Sequence, residues 1–308
     1  MKDYIINGKG LIISDSWQKN CWVNIEIPTP EDKKYIIEEL GVPESFYNDI
    51  EDLDERPRIE LEDGWTLIIL RIPIKTMDIK IPFATIPLGL IFKEDIFVSI
   101  CSYKTDMVND FIAYTQRKNI QKDNNYNFAL NLLLSSSVWF LKYLKQINLF
   151  IKSAEERLEK SIKNEELQIL LQIEKCLVYF TTSLKGNDIL IHRIKNLRIN
   201  KDILNEELLE DVEIEQRQAL ETTKIYSDIL SGMMDAYASV ISNNLNVIMK
   251  QLTFISIVLM IPTLIASLYG MNVPNFMEDS KFAFFFVVLI SFIISIIGIL
   301  LFKRKKWL

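Results

Sequence analysis

Near the C-terminus a line of polar, small and sulfur-bearing residues recurs at helical spacing. Reading back from Gly270 in alternating steps of three and four gives Ser267, Thr263, Met260, Ser256, Thr253, Met249, Asn246, Ser242, Ser239 and Asp235. None is Leu, Ile, Val or Phe. A repeat of 3.5 residues keeps one direction along a gently supercoiled helix, and aliphatic side chains would occupy that seam if it only packed against a partner. Hydroxyls, an amide and one carboxylate offer oxygen atoms to water and to a hydrated cation. The other reading of such a stripe is a small-residue helix contact within a membrane. If it is instead a wall facing water, one helix cannot enclose the space, and several copies related by closed cyclic symmetry are required.

The elements that must position this line are two apolar segments. Leu252 to Tyr269 and Phe282 to Phe302 contain no charged residue and approach the ~20 residues needed to cross ~30 Å of hydrocarbon. The second is aliphatic and aromatic nearly throughout, whereas the first carries Thr253, Ser256, Pro262, Thr263 and Ser267. Residues 270–281 between them are too few for a domain, so the segments form a hairpin. Lys250 and the cluster Lys303-Arg304-Lys305-Lys306 flank one side, which places both termini in the cytosol by the positive-inside rule. The start of the chain does not read as a signal peptide.

Upstream, residues 1 to about 103 alternate β-rich runs with turn signals: Cys21–Ile27, Trp65–Ile74 and Leu88–Ile100. Thr29-Pro30-Glu31-Asp32 reads as a helix start and Gly41 as its end. Residues 127–162 and 165–197 show helical periodicity and predict an antiparallel pair, with Lys185-Gly186-Asn187-Asp188 a weak point in the second. From about Asn205 no proline interrupts the chain before the membrane, so one helix continues into the bilayer. The expected fold is an α/β N-terminal cytosolic domain (1–125), a long helix pair (126–204) and a very long stalk helix (205–251). That stalk continues into the first of two transmembrane helices (252–269); a loop (270–281), the second span (282–302) and a basic tail (303–308) follow.

The chain has 308 residues and a net charge of −6, and an acidic protein of this kind is not expected to bind nucleic acid. Cys21, Cys101 and Cys176 are far apart and suggest neither a disulfide framework nor a thiolate metal site. No phosphate-binding loop, HExxH motif or nucleophile with its base is found, and the single histidine, His192, lies on a charged helix. No enzymatic activity and no organic cofactor are expected.

Tyr269-Gly270-Met271-Asn272 stands at the outer end of the first span, with a short loop, a second span and a basic tail after it. This arrangement resembles the CorA family of magnesium channels, whose signature is Gly-Met-Asn at that position. Glu51-Asp52 followed by Glu55-Arg56-Pro57-Arg58-Ile59-Glu60 is similar to the family's acidic pair and Arg-Pro-Lys segment, whereas its Met-Pro-Glu-Leu loop appears only as Phe276-Met277-Glu278-Asp279. The resemblance implies a funnel-shaped homopentamer in the inner membrane, in contact with lipids, with the first spans around the pore. Gly270, Met271 and Asn272 then form the outer selectivity motif. Thr263, Met260, Asn246 and Asp235 match pore-facing positions, and Met249 and Leu252 match a narrow apolar section. Ser256 and Ser267 belong to the same stripe. The implied cargo is Mg²⁺, which keeps its water and suits outer-shell contacts from a ring of Asn272 amides. A dication gains about 4.6 kcal/mol at 100 mV, so no ATP is needed. Regulatory Mg²⁺ held between neighbouring subunits by Asp211, with Asp78 as partner, is also implied. A transporter of Zn²⁺, Co²⁺ or Ni²⁺ with the same architecture is the nearest alternative, and a membrane-anchored scaffold the more distant one.

Overall fold

The computed structural model describes residues 2–76, 82–160, 164–197, 204–271 and 281–304, without the side chains of residues 159, 160, 164 and 303. The chain divides into two compact units, Met1–Gly232 and Met233–Leu308.

The first unit is built on a seven-stranded sheet with the order β2-β1-β3-β7-β6-β5-β4. Its strands are β1 (Lys2–Gly8), β2 (Gly10–Ser14), β3 (Trp22–Glu26), β4 (Arg58–Glu62), β5 (Trp65–Lys75), β6 (Phe83–Lys93) and β7 (Ile96–Cys101). All neighbours are antiparallel except β3 and β7, which run parallel. Helices cover both faces, so β5 and β6 read as nearly unbroken apolar runs rather than alternating ones.

On one face, Val23, Ile25, Leu67, Ile69, Ile91, Val98 and Ile100 pack with Ile36, just after helix α1 (Pro30–Lys34), and with Phe46, Tyr47 and Ile50 of α2 (Glu44–Glu51). Thr29 starts α1 with a capping box, its side chain accepting from the Asp32 amide while Asp32 accepts from the Thr29 amide. The chain then widens into a π-helical turn over Tyr35–Glu39 before Gly41. Gly89 permits the close approach of α2: a Cβ there would lie 2.1 Å from Ile50 Cδ1.

On the other face lie α3 (Asp106–Lys118), α4 (Asn125–Lys160) and α5 (Asn164–Asn196). Trp22 and Phe97 meet Phe128 of α4 edge-on, and Phe83 is set among Tyr143 of α4 and Phe180 of α5. Phe140 pairs with Phe180, and Arg157 with Glu166, so residue numbers rise on one helix as they fall on the other and the pair is antiparallel.

Two readings of local sequence change. The run Leu88–Ile100 is two strands, because Glu94 takes a φ of 48° and reverses the chain between β6 and β7. Lys185-Gly186-Asn187-Asp188 is no break, since α5 runs through it to Asn196. Gly186 is required by contact, its missing Cβ falling 2.7 Å from Pro57. Asn187 is fully buried and grips the edge of β5, accepting from the Arg71 amide at 2.9 Å and donating to its carbonyl at 2.8 Å. Pro57 belongs to the family-like segment, where Arg58 pairs with Asp49, Glu55 and Glu60. That segment therefore ties β4 to α2 and α5.

Helix α6 (Glu206–Tyr269) is continuous for 64 residues, with its beginning in the first unit. There Leu209, Val212, Ala219 and Leu230 are buried, and Gln216 fixes the helix to its neighbours. Its Oε1 accepts from Ser137 of α4 at 2.7 Å and its Nε2 donates to the Leu184 carbonyl of α5 at 2.6 Å. Gln216→Ala removes both bonds at a buried site, and we expect a loss of about 1–3 kcal/mol in urea unfolding of the first unit. A loss below about 0.5 kcal/mol would show that the clasp is not structural.

The candidate pore face and the acidic groove

The second unit contains the end of α6 and α7 (Ala283–Arg304). These are two helices long and apolar enough to cross a membrane, with mean hydropathy 2.1 and 3.1 over their most apolar stretches, of which 0% and 11% is buried within the chain. Phe284 and Phe285 are 72% and 71% exposed, an arrangement that calls for hydrocarbon rather than water around them.

Helix α7 runs antiparallel along one side of α6. The Phe302 ring lies tilted at 5.4 Å from that of Phe254, and Gly298 brings α7 within van der Waals reach of Ile261. Phe254, Val258, Ile261, Pro262 and Ile265 are accordingly half-buried. The stripe points elsewhere. At ~100° per residue its axis lies about 160° around the helix from the side that α7 covers. Asp235, Ser239, Ser242, Asn246, Met249, Thr253, Ser256, Met260, Thr263, Ser267 and Gly270 are all exposed. Leu252, about 60° off that axis, is exposed as well and sits beside Met249 on the open side.

The hydroxyls of this face are prepared as acceptors. Thr253, Ser256 and Thr263 donate to the carbonyls of Met249, Leu252 and Leu259 at 2.8, 2.9 and 3.0 Å. Each proton is committed to the backbone, which leaves the oxygen lone pairs outward. Water bound to a dication is a strong donor and needs such acceptors. At the basic end, Asn246, Met249 and Thr253 border a groove of about 670 Å³ with Asn243, Lys250 and Phe302. Asn243 flanks the stripe and is not on its 3.5-residue line, so spacing does not find it.

Asp211 lies on α6 within the first unit, exposed, and edges a groove of about 400 Å³ with Asp110 of α3 and Glu215 one turn along. Asp110 carries no sequence signal, being a hundred residues away and brought there only by the packing of α3 on α4. Among the described residues no three His, Cys, Asp or Glu side chains are placed to hold a metal ion. Met271 is exposed next to Gly270 at the end of α6, whereas Asn272, Asp78, the Phe276-Met277-Glu278-Asp279 loop and Lys305 to Leu308 lie outside the described residues.

The model of the family described as "CorA-like Mg2+ transporter protein" matches residues 17–304, nearly the whole chain. The chain belongs to that family. Its class is that of CorA-type divalent cation transporters, a family of transporters and not of enzymes, with membrane-spanning helices at the C-terminal end. Among its relatives, the Cobalt/magnesium transport protein CorA of Methanocaldococcus jannaschii is 25% identical over 292 residues, 93% of this chain and 91% of that one. Its counterpart of the same name in Thermotoga maritima is 26% identical over 304 residues, 93% of this chain and 83% of that one. The complete structure of CorA magnesium transporter from Methanocaldococcus jannaschii has the same fold, with a TM-score of 0.84 at 23% identity over 100% of this chain and 99% of that one. The full-length CmaX protein shares it at 0.73 and 15% identity, covering 100% and 98%.

Proposed function

We propose that five copies of this chain form a funnel-shaped homopentamer in the inner membrane, with the α6 stripes around a central path for hydrated Mg²⁺. One observation carries this reading. The polar line on α6 faces away from α7, so the hairpin's own second helix leaves it open in a segment otherwise fit for hydrocarbon. Residues 252–269 line the path, residues 282–302 form the outer ring, and both termini lie in the cytosol with the α/β domain (1–125), helix pair (126–204) and stalk (205–251). Asn272, in the 270–281 loop, offers amide oxygens to the waters of the arriving ion, and Gly270 and Met271 hold that turn. Thr263, Met260, Ser256 and Asn246 continue the path, Met249 and Leu252 narrow it, and Asp235 receives the ion on the cytosolic side. Ser267 lies between the outer motif and Thr263.

Mg²⁺ also supplies the regulatory signal. Asp211 shares a groove with Asp110 and Glu215, whose charge is offset in part by Arg117 in the same groove and by Lys142, which pairs with Asp110. A cation shared with carboxylates of the neighbouring subunit, Asp78 among them, relieves repulsion and holds the subunits in the closed arrangement. Relatives named for cobalt as well as magnesium transport support a broader divalent specificity. The absence of His and Cys from the stripe favours the hard ion.

Proteoliposomes containing a Mg²⁺-sensitive dye test the transport claim under an inside-negative potential. Wild type is expected to admit Mg²⁺, and Asn272→Ala to reduce the initial rate at least tenfold. Zn²⁺ entry without Mg²⁺ entry overturns the cargo; no entry of any divalent ion, even with cytosolic-side Mg²⁺ chelated, overturns the pore. In the same assay Asp211→Asn is expected to need several-fold more cytosolic-side Mg²⁺ to close the path. An unchanged closing concentration removes Asp211 from regulation.

A further inference from the structure

Within the second unit, two polar groups beside the α6–α7 seam are short of hydrogen-bond partners. Ser295 of α7 is 8% exposed, and its Oγ has none. Thr253, Ser256, Thr263 and Ser291 each give the hydroxyl proton to the carbonyl four residues back, and Ser295 does not. Across the seam, Pro262 lies inside α6 and has no N–H for the carbonyl of Val258. The contacts of Gly298 with Ile261 and of Phe302 with Phe254 set the register, which puts Ser295 beside Pro262 and within about one turn of Val258. Ser295, Val258 and Pro262 all line one groove of about 940 Å³, with Ala266, Val287 and Ser291.

This volume lies in the range of small-molecule sites, ~300–1,000 Å³. Its walls are apolar apart from Tyr269, the Ser291 hydroxyl, which is bonded to the Val287 carbonyl, and the pair formed by Ser295 and the Val258 carbonyl. Water alone, at ~30 Å³ per molecule, would satisfy the polar pair and leave the apolar space unfilled. An acyl chain would fill the space and leave Ser295 unpaired in hydrocarbon, a state that costs about 1–3 kcal/mol in proteins. A hydroxyl on an apolar body meets both demands, because one oxygen accepts from Ser295 while its proton goes to the Val258 carbonyl.

The geometry points to a binding site for a membrane-dissolved alcohol in this groove, its hydroxyl between Ser295 Oγ and the Val258 carbonyl and its chain along α6 and α7. The site sits where α6 is easiest to bend, at its internal proline. Occupancy and bending of the pore helix are therefore linked.

The test uses the full chain in lipid nanodiscs with a photoactivatable octanol, read by mass spectrometry of labelled peptides, and requires no ion flux. Labels are expected on residues 258–266 and 287–295. Octan-1-ol should displace them, and octane at equal membrane concentration should not. Ser295→Ala should lower labelling about fivefold, the size of one hydrogen bond, while Ser295→Thr retains it. Equal displacement by octane, undiminished labelling of Ser295→Ala, or an unlabelled groove, as when a helix of a second copy fills it, each overturns the proposal.

Discussion

Hydrocarbon cannot hydrogen-bond, and this limits what the second unit can be. A helix that crosses it must satisfy its backbone internally and must direct any further polar group toward water, another polar group or its own carbonyls. Helix α7 meets the rule everywhere but at Ser295, being apolar nearly all round, with Ser291 bonded to its own backbone. The end of α6 meets it differently, because it keeps Thr253, Ser256, Met260, Thr263 and Ser267 in one line and turns that line away from α7. Back-bonded hydroxyls make the line tolerable during insertion and still leave it able to accept hydrogen bonds. A hydrated dication, whose waters are all donors, is the complement of such a surface.

The first unit supplies a rigid start for that helix. Gln216 links α6 to α4 and α5 through bonds that leave neither end of its amide unpaired. Asn187 in turn fixes α5 to the edge of β5, and Pro57 against Gly186 fixes the β4 side. Asp211 stands five residues before Gln216, on a helix already held in place. A change of charge at Asp211, as the proposed regulation requires, would therefore act on a stiff element and not on a loose surface.

Spacing made the stripe legible in sequence, because a 3.5-residue repeat is visible whatever surrounds it. Which side α7 would cover was not legible, since α7 is apolar on every face and carries no directional signal. Long periodic helices and the apolar strand β5 were readable for the same reason of length. Spacing alone does not separate β6 from β7, because a turn that depends on Glu94 at positive φ has no strong residue signature, whereas the β1–β2 turn carries one in Gly8 and Gly10. Gly186 looked like a weak point because glycine is a poor helix former, yet the pressure of Pro57 fixes glycine there. Asp110 could not be associated with Asp211, as only tertiary packing joins residues so far apart.

Accessibility along α6 tests the central claim most directly. Single cysteines at Thr253, Ser256, Met260, Thr263 and Ser267, and at Phe254, Val258, Ile261 and Ile265, are introduced into a chain without the buried Cys21, Cys101 and Cys176. They are then exposed in proteoliposomes to a membrane-impermeant, water-soluble thiol reagent with cytosolic-side Mg²⁺ chelated. The account predicts modification that follows the stripe, fast at the first five positions and at least tenfold slower at the other four. Protection of all nine positions, or modification without that periodicity, would contradict a water-filled path along this face.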